Sequence, residues 1–315
     1  MAKLRVAVLM GGASGEHEVS LVSGKAVAAA LDRKKYDVTP IVISKQGKWE
    51  APLTRRFDVV LPILHGPRGE DGTVQGLLEL ARIPYVGAGV VGSAVSMDKD
   101  VMKRLFRAAG LPVVPHLCVR RKQWGAAPEA VQKLIEESLD YPVFVKPANL
   151  GSSVGISKVR ARGELKAAME LAAQYDPKIV VEQGVNAREL ECAVLGNDAP
   201  KASVVGEVVA AKEFYDYEAK YADVGSRTIV PAKLEFAVME RVRGLALAAF
   251  RACEGRGLAR IDFFLHRATG AIYVNEINTM PGFTPISMYP KLWEASGVPF
   301  PALLDRLIAL ALERN

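Results

Sequence analysis

Over the first hundred residues, apolar runs alternate with stretches whose apolar positions recur at helical spacing, the pattern of a parallel sheet covered on both faces. Arg5 to Met10 predicts a buried strand, Val19 to Leu31 the helix after it, and Thr39 to Ser44 a second strand. Asp58 to Leu64 predicts a strand running into a glycine-rich loop, His65 to Gly72, ahead of a helix through Thr73 to Ala81. Residues 1–98 therefore read as a Rossmann-like N-terminal domain. A second module, 99–182, opens with a helix from Lys99 to Ala109 that is stopped by Gly110 and Pro112. It continues through strands Val143 to Lys146, Ile156 to Val159 and Ile179 to Glu182, with a helix between the last two, an α+β order. The third module, 183–315, offers strands Glu189 to Leu195, Ser203 to Ala210, Leu258 to Leu265 and Ala271 to Ile277 and helices Glu235 to Glu254 and Pro301 to Leu312. A polar, tyrosine-rich segment, 212–231, interrupts it; loops of that length inside a compact domain are functional or mobile, which makes it the candidate lid.

Composition narrows the classes. Half of the 315 residues are hydrophobic, enough for real cores, yet no stretch approaches the roughly 18 to 20 apolar residues of a membrane span. Met1 to Met10 lacks the length and cleavage pattern of a signal peptide, so a cytoplasmic location without membrane attachment is expected. Cys118, Cys192 and Cys253 are an odd number and scattered, which suits a reducing compartment and structural roles. The four histidines, His17, His65, His116 and His266, show no metal-ligand spacing, so zinc is not expected. The net charge of +6 suits an anionic ligand such as a nucleotide, but the basic residues form no long tract and no nucleic-acid motif accompanies them.

Arg260 and Asp262 lie two apart on one predicted strand, and Glu276 and Asn278 two apart at the end of the next. Side chains alternate across a strand, so each pair projects from one face, and neighbouring strands would bring all four together. Oxygen donors from Asp262, Glu276 and Asn278 suit magnesium; solvated strand-end polar residues are the alternative on this pattern alone. In the segment VKPANLGSSVGISKV, Lys146 stands at a strand end before a loop with Gly151 and Gly155, which can bring backbone N–H groups to phosphate, though an ordinary hairpin would read alike. Lys99 opens the preceding helix and could reach the same cleft.

These residues sit in motifs that, taken in order, resemble the D-alanine:D-alanine ligases of the ATP-grasp superfamily over nearly the whole chain. They are GGASGEHEVSLVSG (Gly11 to Gly24), HGPRGEDGTVQGLLEL (His65 to Leu80), MDKDVMK (Met97 to Lys103), VFVKPANLGSSVGISKV (Val143 to Val159), FYDYEAKY (Phe214 to Tyr221), ARIDFFL (Ala259 to Leu265) and VNEINTMPGFTPISMYPKL (Val274 to Leu292). The GGASGE turn is not the GxGxxG dinucleotide fingerprint, and no acid ends the second strand, which argues against a dinucleotide-binding oxidoreductase.

The resemblance implies a three-module ATP-grasp architecture and the ATP-dependent joining of two D-alanines through a D-alanyl phosphate, for peptidoglycan synthesis. It implies that Lys99 and Lys146 hold ATP phosphates, that Glu182 to Val185 passes the adenine with backbone contacts from Gln183 and Val185, and that Glu189 takes the ribose hydroxyls. Phe214 and Lys220 would belong to the lid, with Lys220 facing the γ-phosphate. Two magnesium ions, for which manganese could stand in, would fall on Asp262, Glu276 and Asn278, with Glu276 bridging. Glu16 would hold the first D-alanine's ammonium, with His65 lining its pocket, and Arg260 with the N–H of Gly282 would form the oxyanion site. Ser287 and the N–H of Met288 would take the second carboxylate, and Ser152 would link Glu16 to Tyr221 so that lid closure excludes water. A homodimer is implied, and a monovalent-cation requirement is left open. The lid reads EAKY, Glu218 to Tyr221, which in the family goes with dipeptide rather than D-alanyl-D-lactate formation. The competing readings are a D-alanyl-D-lactate or D-alanyl-D-serine ligase, which would differ in the lid and second-substrate pocket, and an ATP-binding sensory module, which would lack a metal ligand or Arg260.

Overall fold

In a computed structural model that describes residues 2–50, 57–151, 154–209 and 227–313, the chain folds around three sheets. Strand β1 (Leu4–Gly11) lies between β2 (Tyr36–Ile43) and β3 (Val59–Pro62), parallel to both. Its alternation divides the apolar side chains between two cores. Val6, Val8 and Met10 face helix α1 (His17–Ala30), whereas Ala7 and Leu9 face helix α2 (Thr73–Leu80). This is the Rossmann-like layering expected for a buried parallel sheet.

Helix α3 (Val90–Met97) leads into α4 (Lys99–Ala108), which Asp98 caps by accepting from the N–H groups of Asp100 and Val101 at 3.1 Å each, a cap worth about 1 kcal/mol. Beyond them β4 (His116–Arg120), α5 (Arg121–Ala126), α6 (Pro128–Ser138), β5 (Val143–Pro147), β6 (Ser157–Val159), α7 (Arg162–Tyr175) and β7 (Lys178–Gln183) form an antiparallel sheet in the order β4-β7-β5-β6. Its apolar core is built from the inner faces of α6 and α7. The third sheet, also antiparallel, runs β10-β9-β8-β11-β12, from β8 (Ala187–Gly196), β9 (Lys201–Val209), β10 (Arg227–Ile229), β11 (Gly257–His266) and β12 (Ile272–Asn278).

Two helices cross between these units. Helix α4 sends Met102 and Phe106 into the core under the third sheet, where they meet helix α8 (Phe236–Ala252). Helices α9 (Met288–Ala295) and α10 (Phe300–Leu312) fold back at 101°, and α10 places Leu303, Leu304, Leu307 and Ile308 in the core shared with β1 and α1. Among the described residues no single helix is long and apolar enough to cross a membrane.

The candidate lid, 212–231, lies outside the described residues up to 226. Its end is strand: Arg227, Thr228 and Ile229 pair with Val209, Val208 and Glu207 of β9. Helices α3, α5, α6 and α9 are additions to the elements expected from the sequence. Cys192 and Cys253 are buried free thiols and Cys118 is half-buried, in keeping with structural roles.

Candidate active site

The antiparallel register of β11 and β12 makes Arg260 the partner of Asn278 and Asp262 the partner of Glu276, so the four side chains converge as their spacing requires. The neighbouring β8 adds Glu191 opposite Asp262 and Glu189 opposite Phe264. Arg260 donates to both oxygens of Asp262 at 2.7 Å, and its Nε lies 3.0 Å from Glu191 Oε2. Burial disfavours its charge, but Asp262 and Glu191 outweigh that and raise its pKa further, so it remains a cation. Asn278 Nδ2 donates to Asp262 Oδ2 at 3.1 Å.

This polar face looks into a cleft of ≈ 1640 Å³ among the described residues, larger than the ~300–1,000 Å³ of an ordinary small-molecule pocket. Every described residue proposed above for the site lines it: Glu16, His65, Lys99, Lys146, Glu182, Gln183, Val185, Glu189, Arg260, Asp262, Glu276, Asn278, Gly282, Ser287 and Met288. Ser152, Phe214, Lys220 and Tyr221 lie outside the described residues.

Along one wall of the cleft, Lys99 is fixed at the first turn of α4. Its N–H donates to Ala148 O at 3.0 Å and its ammonium to Leu150 O. Lys178 braces the same turn through Asp98 at 2.8 Å and Asp100 at 3.0 Å. Lys146 extends from β5 over the Phe144 ring, 5.8 Å from its centroid, and reaches Glu182 Oε2 at 3.2 Å. The Gln183 N–H is already given to Pro115 O at 2.9 Å, so it is not available as a donor to a ligand. Burial alone would raise the Glu182 carboxyl, but Lys103 and Lys146 together bring it down to about 2. A carboxylate depressed from 4.5 to about 2 stabilises the fold above pH 4.5 and loses that contribution as pH falls toward 2. Glu182→Gln should therefore flatten the fall in stability across that interval; an unchanged slope in urea melts taken at successive pH values would contradict the pairing.

Elsewhere along the cleft, Glu16 stands at the N-terminus of α1, between two glycine loops. A Cβ at Gly66, whose φ is +73°, would sit 2.8 Å from Glu16 Oε2, and one at Gly151 would sit 3.1 Å from it, so both loops must be bare to admit the carboxylate. His65 is buried and kept neutral, because burial outweighs the pull of Glu16 and of Met280 O. Its Nδ1 lies 3.0 Å from Met280 O and must carry the proton, since a carbonyl only accepts; Nε2 faces Ser23 Oγ at 3.4 Å. Ser23 Oγ also accepts from the Phe283 N–H at 3.3 Å. His65 thus has no N–H to offer a substrate and instead anchors the loop that carries Gly282. In that loop Ser287 Oγ accepts from the Thr284 N–H at 3.1 Å and lies 2.8 Å from Thr284 Oγ1.

Ser23, Glu70 and Glu191 line the same cleft and Lys103 lies behind its wall, none of them assigned from the sequence. Glu70 accepts from the Gly66 N–H at 2.6 Å, and burial followed by the nearby charge of Glu16 pushes its carboxyl up to about 8. It was visible only as one acid in HGPRGEDG; nothing local announces the upward shift of its carboxyl.

Asp262, Glu276 and Asn278 give hard oxygen donors on paired strands, a set that fits a magnesium ion completed by water and phosphate. The set is not closed as it stands, since Asp262 is turned to Arg260 and Asn278. Among the described residues no three His, Cys, Asp or Glu side chains cluster closely enough to hold a metal by themselves.

Residues 5–55 and 50–88 match the family model for the D-ala D-ala ligase N-terminus, and residues 105–309 the model for its C-terminus. A D-alanine–D-alanine ligase of Solibacter usitatus is 54% identical over 99% of this chain and 97% of its own, and one of Heliobacterium modesticaldum 49% identical over 100% and 96%. The D-alanine-D-alanine ligase structure from Coxiella burnetii superposes with a TM-score of 0.89 at 38% identity, covering 100% of this chain and 95% of that one. A D-Ala:D-Ser ligase structure from Enterococcus faecalis also gives 0.89, at 36% identity, with 98% and 100% covered. With both halves of the pattern in order and about half the residues shared from end to end, the chain belongs to the D-alanine–D-alanine ligase family.

Proposed function

We propose that the protein joins two D-alanines to D-alanyl-D-alanine with ATP, releasing ADP and phosphate. The observation that carries this is the single cleft, in which the Arg260, Asp262, Glu276 and Asn278 quartet shares walls with Lys99, Lys146 and Glu16. The ammonium of the first D-alanine rests on Glu16, and its carboxylate attacks the γ-phosphorus of ATP to give D-alanyl phosphate. The second D-alanine, its carboxylate held by Ser287 and the Met288 N–H, then attacks the acyl carbon with its neutral amine; phosphate is expelled and takes the amine's proton. Arg260 and the Gly282 N–H take up the charge that develops on the acyl oxygen, the largest kind of contribution a site without a covalent nucleophile can make. Lys99, Lys146 and Lys220 hold the phosphates, Phe214 belongs to the lid, the stretch Glu182 to Val185 receives adenine, and Glu189 receives ribose. Magnesium, or manganese in its stead, held by Asp262, Glu276 and Asn278, supplies neutralisation of phosphate charge. His65 positions the Gly282 loop.

Three modules, 1–98, 99–182 and 183–315, serve this chemistry, the first carrying Glu16 and the other two enclosing the nucleotide. The resemblance implies a homodimer, and exposed Leu77, Leu80, Val90 and Val91 on the touching helices α2 and α3 are apolar side chains that such a contact would cover. Use of ATP and the unpaired cysteines favour the cytoplasm.

The likeness to a D-Ala:D-Ser ligase makes the second substrate the point to test. Phosphate release with D-alanine alone, or with D-alanine plus D-lactate or D-serine, should give D-alanyl-D-alanine by mass as the main product; a mixed product as the main species would overturn the dipeptide assignment. The family resemblance assigns that choice to Tyr221, which lies outside the described residues. Tyr221→Phe should raise D-lactate use relative to D-alanine by about tenfold, and an unchanged ratio of kcat/KM values would remove Tyr221 from selectivity.

A further inference from the structure

Behind the cleft wall, two lysines meet one carboxylate oxygen. Lys103 Nζ and Lys146 Nζ each lie 3.2 Å from Glu182 Oε2, with side-chain exposures of 1% for Lys103, 12% for Lys146 and 2% for Glu182. Lys103 rises from α4, does not line the cleft, and also donates to Asn275 O of β12 at 3.1 Å, so it ties the central sheet to the strand that carries Glu276. The other charged groups around the trio are Arg107 and Glu276, while His116, opposite Glu182 on β4, is driven to about 4 by burial, Lys103 and Arg107 and is neutral.

Two lysines on one oxygen exceed what Glu182 alone needs; burial lowers the pKa of the Lys103 ammonium, and Glu182 with Glu276 opposes that and favours its charged form. Breaking a buried pair by withdrawing its only cation is strongly unfavourable, whereas a second cation on the same oxygen leaves the first free to move. Lys146, which borders the cleft, is the one able to turn; Lys103 is enclosed and further held by Asn275 O. We propose that Lys103 is a resident counter-ion for Glu182 that releases Lys146 to the phosphates of the bound nucleotide. It is a positioning residue, since it touches neither substrate nor metal. The proposal rests on the assignment of this cleft to ATP. Without Lys103, Lys146 stays bound to Glu182, and the phosphates lose a cation that the adenosine moiety never used.

The test is calorimetric titration of ATP and, separately, of adenosine into the full chain and into Lys103→Met and Lys103→Arg. Lys103→Met should weaken ATP by about tenfold or more while adenosine stays within about twofold, and Lys103→Arg should recover most of the loss. Equal weakening of both ligands would reduce Lys103 to a structural role, and no weakening of either would remove it altogether. Should Lys103→Met fail to fold, Lys103→Gln, neutral but still a donor, gives the same comparison. Failure of the unaltered chain to bind ATP would instead overturn the assignment of the cleft.

Discussion

Glu276→Gln leaves the fold intact and lowers turnover by at least ~100-fold. The amide keeps the size of the side chain, its place opposite Asp262 and its capacity for hydrogen bonds, and removes only the negative charge that suits a divalent cation. The loss should be steepest at low magnesium, and the affinity for ATP should become less dependent on magnesium. Phosphate release measured across magnesium concentrations checks this; near-normal turnover at limiting magnesium would take Glu276 out of the metal site.

Arg260→Lys should lower kcat by roughly 100- to 1,000-fold while the KM for ATP stays within about threefold. Lysine preserves the charge between Asp262 and Glu191 but cannot reproduce the planar fork that donates to both Asp262 oxygens at 2.7 Å, so the donor aimed at the acyl oxygen is displaced. A variant that melts normally and keeps its kcat would show that Arg260 only balances its acidic neighbours. Equal damage to the KM for ATP and to kcat would assign it to nucleotide binding.

The parts of this site that were legible in the sequence are those set by short-range geometry. The period of two on β11 and β12 foretold that Arg260 with Asp262, and Glu276 with Asn278, would share a face, and the helix read from Lys99 onward placed that lysine in the first turn of α4. Other features escaped because they depend on distance along the chain. Lys103 meets partners 79 and 172 positions away (182 − 103 and 275 − 103), and no local pattern separates it from a surface lysine. The Glu70 carboxyl is raised because the fold desolvates it beside Glu16, 54 positions earlier (70 − 16). Helix α3, VVGSAVSM, offers small residues without a clear apolar stripe, and Arg121, Lys122 and Gln123 at the start of α5 look like solvated surface. For His65 the resemblance implied a place at the pocket, and the residue does line the cleft, but the approach of Met280 O and Ser23 to its two ring nitrogens depends on the fold.

Transfer of oxygen between the substrates tests the central claim most directly. With ATP, magnesium and D-alanine labelled with oxygen-18 in both carboxylate positions, attack on the γ-phosphorus makes one labelled oxygen the bridge to phosphorus, and attack by the second amine leaves it there. The account predicts one labelled oxygen in each phosphate released, with one dipeptide formed per phosphate. Unlabelled phosphate, or phosphate formed without dipeptide, would contradict it.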